Sequence, residues 1–313
     1  MLRSMLLAAG RSPRIRTFAE EAAPLRPVVD RFVAGTGLDA ALPVIAGLTA
    51  DRLVTVDHLG ENTTDRAGAE ATVAAYRQLL LRLAAEGLAD RVEVSVKLSA
   101  LGQGLPDGDA LALDGMREIC GAAAEAGTTV TVDMEDHTTT DATLATVVAL
   151  RADFPWVGAV LQSLLRRTEA DCRDLAGPGS RVRLCKGAYE EPESVAFADR
   201  ADVDRSYVRC LKILFAGAGL PLVATHDPRL VAIAQHLGRD RPYELQMLYG
   251  VRPDAQGRYS IRNLPPGEYR IVATADLEQM EWFDPTVLER LLPTAAAITI
   301  TGVEKKTHDL TIR

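Results

Sequence analysis

Aromatic residues are scarce, 5% of the 313 in the chain, so there is little material for a surface that stacks on bases. Cations are outnumbered as well. A formal net charge of −8 works against a phosphate backbone and excludes nucleic acid as the expected partner. Cysteine is limited to Cys120, Cys172, Cys185 and Cys210, with no C-x-x-C and no histidine at zinc-ligand spacing from them. Neither a disulfide framework nor a metal site is expected, and the four read as reduced core thiols. No apolar run approaches the ~20 residues of a membrane span. The stretch Met5-Leu6-Leu7-Ala8-Ala9, followed by Arg11, Arg14 and Arg16, is shorter than the ~7–15 residues of a signal-peptide core. The expectation is a cytoplasmic chain, with peripheral membrane contact left open.

Hydrophobic residues make up 47% of the chain, enough for a sizeable core. Short, apolar, β-branched runs fall at 53–56, 92–98, 128–132, 157–161, 182–185, 222–224 and 245–248, and read as strands buried on both faces. Segments of helical periodicity lie between them at 69–86, 115–126, 141–154, 202–217 and 228–237. Strand–helix alternation predicts a parallel sheet with right-handed crossovers. No G-x-G-x-x-G follows the first strand, so a barrel is favoured over a dinucleotide-binding sheet. A (β/α)₈ barrel takes about 250 residues, and the surplus predicts something small besides.

The pattern changes near residue 254. Residues 254–273 read as a turn, an alternating strand, the Pro265-Pro266-Gly267 turn and a second alternating strand. Residues 297–301 and 307–312 are further strand candidates. The expected organisation is a barrel over 1–253 and a β-rich tail over 254–313.

Function in such a barrel sits at the C-terminal strand ends. They carry Asp57-His58-Leu59-Gly60-Glu61, Lys97-Leu98-Ser99, Asp133-Met134-Glu135-Asp136, Gln162, Arg183 with Lys186-Gly187-Ala188-Tyr189, Thr225-His226-Asp227, and Glu244 with Gln246. Any one could be a rim ion pair, because a barrel interior prefers apolar fillers. Seven in register favour a ligand site. Lys97 is expected to point inward if Val94 and Val96 face the helices, and needs a carboxylate partner such as Asp133 or Glu135. Lys186-Gly187 suits a phosphate, and the planar Arg183 fork suits a carboxylate or the edge of a heteroaromatic ring.

These strand ends resemble the proline dehydrogenase family. The stretches that carry the likeness are Arg31-Phe32-Val33-Ala34-Gly35, Ser95-Val96-Lys97-Leu98-Ser99-Ala100-Leu101, Val132-Asp133-Met134-Glu135, Arg183-Leu184-Cys185-Lys186-Gly187-Ala188-Tyr189, Ala224-Thr225-His226-Asp227 and Tyr243-Glu244-Leu245-Gln246-Met247-Leu248-Tyr249-Gly250. Their order spans residues 30–252. The resemblance implies a distorted (β/α)₈ barrel holding FAD without a covalent bond. It implies oxidation of L-proline to Δ1-pyrroline-5-carboxylate by hydride transfer to flavin N5, with electrons leaving to a quinone. It further implies that Lys97 pairs the proline carboxylate, with Asp133 organising the site beside it. Leu184 and Tyr189 would pack the proline ring, and Arg183 would donate towards flavin N5. Gln162, Lys186, Gly187, Ala188, Thr225, His226 and Gln246 would hold the FAD.

The family continues with an eighth strand and a last helix bearing an Arg-Arg-x-x-Glu pattern that clamps the substrate carboxylate. Only Arg290, in Glu289-Arg290-Leu291-Leu292, stands near such a position, without an adjacent arginine. Residues 257–274 resemble instead part of a carboxypeptidase regulatory-like module. The fold expected is thus an α/β, TIM-like barrel lacking its eighth strand and last helix, with impaired proline oxidation. The alternatives are a non-catalytic flavin-binding remnant or unstable chimera, and an aldolase-like barrel using Lys97 or Lys186 as a Schiff-base amine.

Overall fold

The computed structural model describes residues 33–35, 37–60 and 62–249, and beyond them 267–271, 289 and 291–301. Seven parallel strands pair in chain order: β1 (Val54–Asp57), β2 (Val92–Val96), β3 (Val130–Val132), β4 (Gly158–Gln162), β5 (Arg181–Cys185), β6 (Leu220–Ala224) and β7 (Glu244–Gln246). The intervening helices are α1 (Leu38–Leu48), α2 (Arg66–Ala85), α3 (Gly108–Ala126), α4 (Thr140–Arg151), α5 (Thr168–Leu175), α6 (Arg200–Ala216) and α7 (Pro228–Leu237). The sheet curls into an open barrel. β1 and β7 each pair on one edge only, and among the described residues no strand lies between them.

Register settles which face of each strand meets the helices. Val92, Val94, Val96, Val130, Val132, Ala159, Leu161, Val182, Leu184 and Val223 join one buried cluster with Leu80, Leu83, Ile119, Tyr207 and Leu211 of the helices. Each fully buried aliphatic side chain contributes roughly 1.5–3 kcal/mol. Three of the helices begin on side chains that accept otherwise unpaired N–H groups. Asp65 accepts from Gly68 N at 2.8 Å for α2, Asp199 accepts from Ala201 N at 2.7 Å for α6, and Asp227 accepts from Arg229 N at 3.0 Å for α7. Two helices lay outside the sequence expectation: α1, which carries Pro43 within it, and the eight-residue α5.

The inward face corrects the expectation of apolar fillers. Period-2 alternation turns Thr55 and Asp57 inward from β1, and Glu93 and Ser95 from β2, with Lys97 following β2. Thr131, Arg181, Arg183, Glu244 and Gln246 lie on the same face. Paired polar groups fill much of the interior, beside Val160, Leu220, Leu222 and Ala224, which the register puts on the same face.

In the tail, β8 (Gly267–Ile271) pairs antiparallel with β9 (Ala296–Ile300) in a separate two-stranded sheet. The alternating strand expected before the Pro265-Pro266-Gly267 turn, the candidate strand at 307–312, and Arg31 and Phe32 of the resemblance fall outside the described residues.

Candidate active site

Lys97 follows β2 directly, so alternation puts its side chain on the face opposite Val96. Its Nζ donates to Asp57 Oδ2 at the end of β1 and reaches Asp133 Oδ2 after β3 at 3.4 Å. The Asp57 pairing was not among the partners foreseen for Lys97. The side chains of Lys97, Asp57 and Asp133 are 18%, 26% and 17% exposed, which places the ammonium at the water boundary of the interior. Behind Asp57, the Tyr76 hydroxyl of α2 lies 3.1 Å from Asp57 Oδ1 and 2.6 Å from the Ser95 carbonyl oxygen, and accepts from His58 N at 3.1 Å. Burial raises the Asp57 carboxyl above its ordinary range, and the adjacent Lys97 only partly offsets this.

That direction fixes a pH dependence. A carboxyl raised in the folded protein contributes stability that is complete below its unfolded value of 3.8 and is lost as pH rises through the folded value. Asp57→Asn removes this contribution. In denaturant unfolding at a series of pH values, the stability of the native chain relative to this variant is expected to fall as pH climbs from 3.8 through the raised value. A relative stability that grows over the same window contradicts the assignment.

Arg183, on β5, crosses the interior. Its Nε donates to Gln246 Oε1 at 2.6 Å, its Nη1 to Ser95 Oγ at 2.8 Å and Asp133 Oδ1 at 2.9 Å, and its Nη2 to Glu93 Oε1 at 2.9 Å. Of the five N–H donors of a guanidinium, one on Nη2 therefore has no acceptor among the described residues. Glu93 also takes Arg181 Nη2 at 2.8 Å and the hydroxyls of Thr55, Thr131 and Thr129 at 2.9, 3.2 and 3.3 Å. Burial works to raise its carboxyl, but Arg181 and Arg183 together outweigh that and hold it below the ordinary range. Glu93, Arg181, Ser95 and Thr55 were not singled out from the sequence, although the alternation Val92-Glu93-Val94-Ser95-Val96-Lys97 carried the signal.

A second cluster stands on the rim. Lys186 Nζ pairs with Asp204 at 2.7 Å and Asp227 at 3.2 Å. Burial acts to raise the Asp227 carboxyl, yet bonds from Arg229 and Lys186 hold it well below its usual value. His226 Nε2 accepts from Leu248 N at 2.9 Å, and Asp227 N donates to the buried Thr225 Oγ1 at 3.1 Å. Gln162 Nε2 donates to the Glu135 carbonyl at 2.7 Å, while the Glu135 side chain accepts from Ser99 N at 3.0 Å. Gly187 has φ +102°, and a Cβ there would lie 1.9 Å from Leu164 Cδ2. Ala188 is exposed and Tyr189 half-buried. Three exposed apolar side chains stand near these strand ends: Leu59 at 66%, Leu248 at 71% and Tyr249 at 41%.

The structure thus gathers Lys97, Asp133, Arg183 and Gln246 into one network, and Lys186, Thr225 and His226 into a rim group. It does not bring Leu184 to either. Leu184 alternates with Arg183 and is fully buried on the helix side, in register with Leu161 and Val223, so it cannot pack a ligand held over the inward face. The donor set suits a flat heteroaromatic with an anionic tail: a spare guanidinium N–H, primary amides on β4 and β7, exposed apolar surface, and an ammonium at the rim.

A family model described as proline dehydrogenase matches residues 45–263. The chain is 35% identical over 266 residues to a proline dehydrogenase of Deinococcus radiodurans, covering 82% of this chain and 84% of that one. It is 30% identical over 312 residues to proline dehydrogenase 1 of Bacillus subtilis strain 168, covering 98% and 100%. Among solved structures, proline utilization A (PutA) from Bdellovibrio bacteriovorus, inactivated by N-propargylglycine, superposes with a TM-score of 0.67 at 25% identity. The match covers 72% of this chain and only 29% of that one.

Proposed function

Because this chain belongs to the proline dehydrogenase family and is an oxidoreductase acting on proline, we propose that it converts L-proline to Δ1-pyrroline-5-carboxylate with FAD held over the inward face of the open barrel. The observation that carries this reading is the continuous hydrogen-bonded network joining Lys97, Asp133, Arg183 and Gln246 across β2, β3, β5 and β7. When bound, FAD supplies the two-electron acceptor that oxidation of a ring C–N bond needs.

The chain's own residues do the rest. Lys97 pairs the substrate carboxylate, and Asp57 and Asp133 hold its ammonium in place. Arg183 presents its remaining N–H, and Gln162 and Gln246 their amide groups, to the polar edge of the flavin. Lys186, Thr225, His226 and the backbone at Gly187 and Ala188 serve its phosphate-bearing tail. Tyr189 covers the substrate ring, a role in which Leu184 has no part. The exposed Leu59, Leu248 and Tyr249 leave apolar surface for a quinone acceptor and for contact with a membrane surface. Among the described residues no helix is long and apolar enough to cross a membrane.

Turnover is expected to be slow. The inward network holds the cations Lys97, Arg181 and Arg183 against the anions Asp57, Glu93, Asp133 and Glu244. Among the described residues an arriving carboxylate meets more inward anions than cations, and it must share Lys97 with Asp57 and Asp133, already bonded to it. The test is the visible spectrum of purified protein before and after anaerobic addition of L-proline. A yellow protein that bleaches slowly bears out both the reaction and its impairment. Rapid bleaching removes the impairment, and a colourless preparation that reconstitution with FAD leaves colourless removes the cofactor. Lys97 donates to two carboxylates, and Lys186 donates to Asp227 and pairs with Asp204. That is a charge-pairing arrangement rather than the desolvated pocket of a Schiff-base amine.

A further inference from the structure

Five inward-facing side chains close on themselves. Glu93 Oε2 accepts from Arg181 Nη2 at 2.8 Å, and Arg181 Nη2 lies 3.8 Å from Glu244 Oε1. Glu244 Oε2 accepts from Gln246 Nε2 at 3.1 Å, and Gln246 Oε1 accepts from Arg183 Nε at 2.6 Å. Arg183 Nη2 returns to Glu93 Oε1 at 2.9 Å. The ring joins β2, β5 and β7, which are not neighbours in the sheet, and so braces a barrel whose outer β1 and β7 edges are unpaired among the described residues. It also fixes two directions. Gln246 must turn its carbonyl oxygen to Arg183, because its NH₂ is committed to Glu244. Arg183 must lie across the barrel, because its two ends are claimed by Gln246 and Glu93.

We infer that Glu93, with Arg181 behind it, is a positioning residue for proline oxidation, completing a closed polar ring that sets where Arg183 and Gln246 present their groups to the flavin. This rests on the flavin reading above. Glu93 touches neither substrate nor cofactor. Its side chain is 9% exposed and accepts from two arginines and three threonine hydroxyls, so it has no room for a ligand. Its charge is what keeps two arginines two residues apart on one strand from repelling each other. Without it, Arg183 loses one of its anchors.

The experiment is a double-mutant cycle between Glu93→Gln and Arg183→Lys in the FAD-loaded protein, read as the midpoint potential of the flavin and the rate of its reduction by L-proline. Glu93→Gln keeps shape and removes charge. The expected result is a shifted potential and a roughly ten- to a hundredfold slower reduction in the Arg183 protein, with neither change when Arg183 is already Lys. Arg181→Gln opens the same ring from its other side and is expected to reproduce the effect, which keeps the test open if Glu93→Gln folds poorly. Equal shifts in both backgrounds would mean a through-space charge effect, and no shift in either, with lowered stability alone, a purely structural role. Each of these overturns the inference while leaving the flavin reading standing. A wild type that takes up no FAD overturns both.

Discussion

Replacing Lys97 by Met is expected to lower kcat/KM for flavin reduction by L-proline roughly thirtyfold to several thousandfold while leaving bound flavin in place. The size follows from removing one partner of a buried charged contact, about 2–5 kcal/mol, at about 1.4 kcal/mol per factor of ten. The direction follows from geometry. Lys97 Nζ donates to carboxylates at the ends of the strands on either side of β2 and is 18% exposed, so it stands at the water boundary of the interior, within reach of an incoming carboxylate. Methionine preserves most of the length of the side chain and removes its charge. In the proposed reading Lys97 pairs the carboxylate in the ground state as well as in the transition state, so the loss should fall mainly on KM. A second consequence separates this from simple destabilisation. Asp57, already raised by burial, loses the cation that partly offset it, so the variant's stability deficit should shrink as pH falls. Unchanged proline kinetics in a less stable variant would reduce Lys97 to a rim ion pair and remove it from the substrate site.

The seven strands were legible because each is a short apolar run between turn residues, and the structure places a strand at every one of them within a few residues. The helices α2, α3, α4, α6 and α7 were legible from their periodicity. α5 was not, since Thr-Glu-Ala-Asp-Cys-Arg-Asp-Leu is short and charged and is helical because Cys172 and Leu175 pack into the core. The inward network was half-legible. Polar residues at 93, 95 and 97, and again at 181 and 183, alternate with aliphatic ones, which in one strand alone reads as a face turned to water. Only pairing β2 with β3, and β4 with β5 and β6, shows that these faces point at one another. Glu93 and Arg181 were therefore invisible as partners, while Lys97, Asp133 and Arg183, at or near strand ends, stood out as candidates. Leu184 failed for the same reason in reverse: its place beside Arg183 in a motif says nothing about facing, and alternation puts it on the helix side.

Gly187→Ala is the other substitution expected to have a large effect. At φ +102° an L-residue is strained by roughly 1–2 kcal/mol. The added methyl would stand 1.9 Å from Leu164 Cδ2 and 2.7 Å from its Cγ. Leu164 cannot simply rotate away. It is 8% exposed, packs with Leu165 and Ala196, and its backbone N donates to the Lys186 carbonyl at 2.9 Å. Overpacking of this kind adds about 1–3 kcal/mol, for a total of about 2–5 kcal/mol in denaturant unfolding. The effect reaches the site because Leu164 is bonded to Lys186, and Lys186 carries the ammonium of the rim. FAD affinity should therefore fall together with stability. The two sources of cost can be separated. In a Leu164→Ala background the collision disappears and the backbone strain does not, so Gly187→Ala should there cost only the smaller share. An equal cost in both backgrounds would mean that Leu164 is not what glycine makes room for, and that the close approach of the loop after β5 to the residues after β4 does not shape the rim.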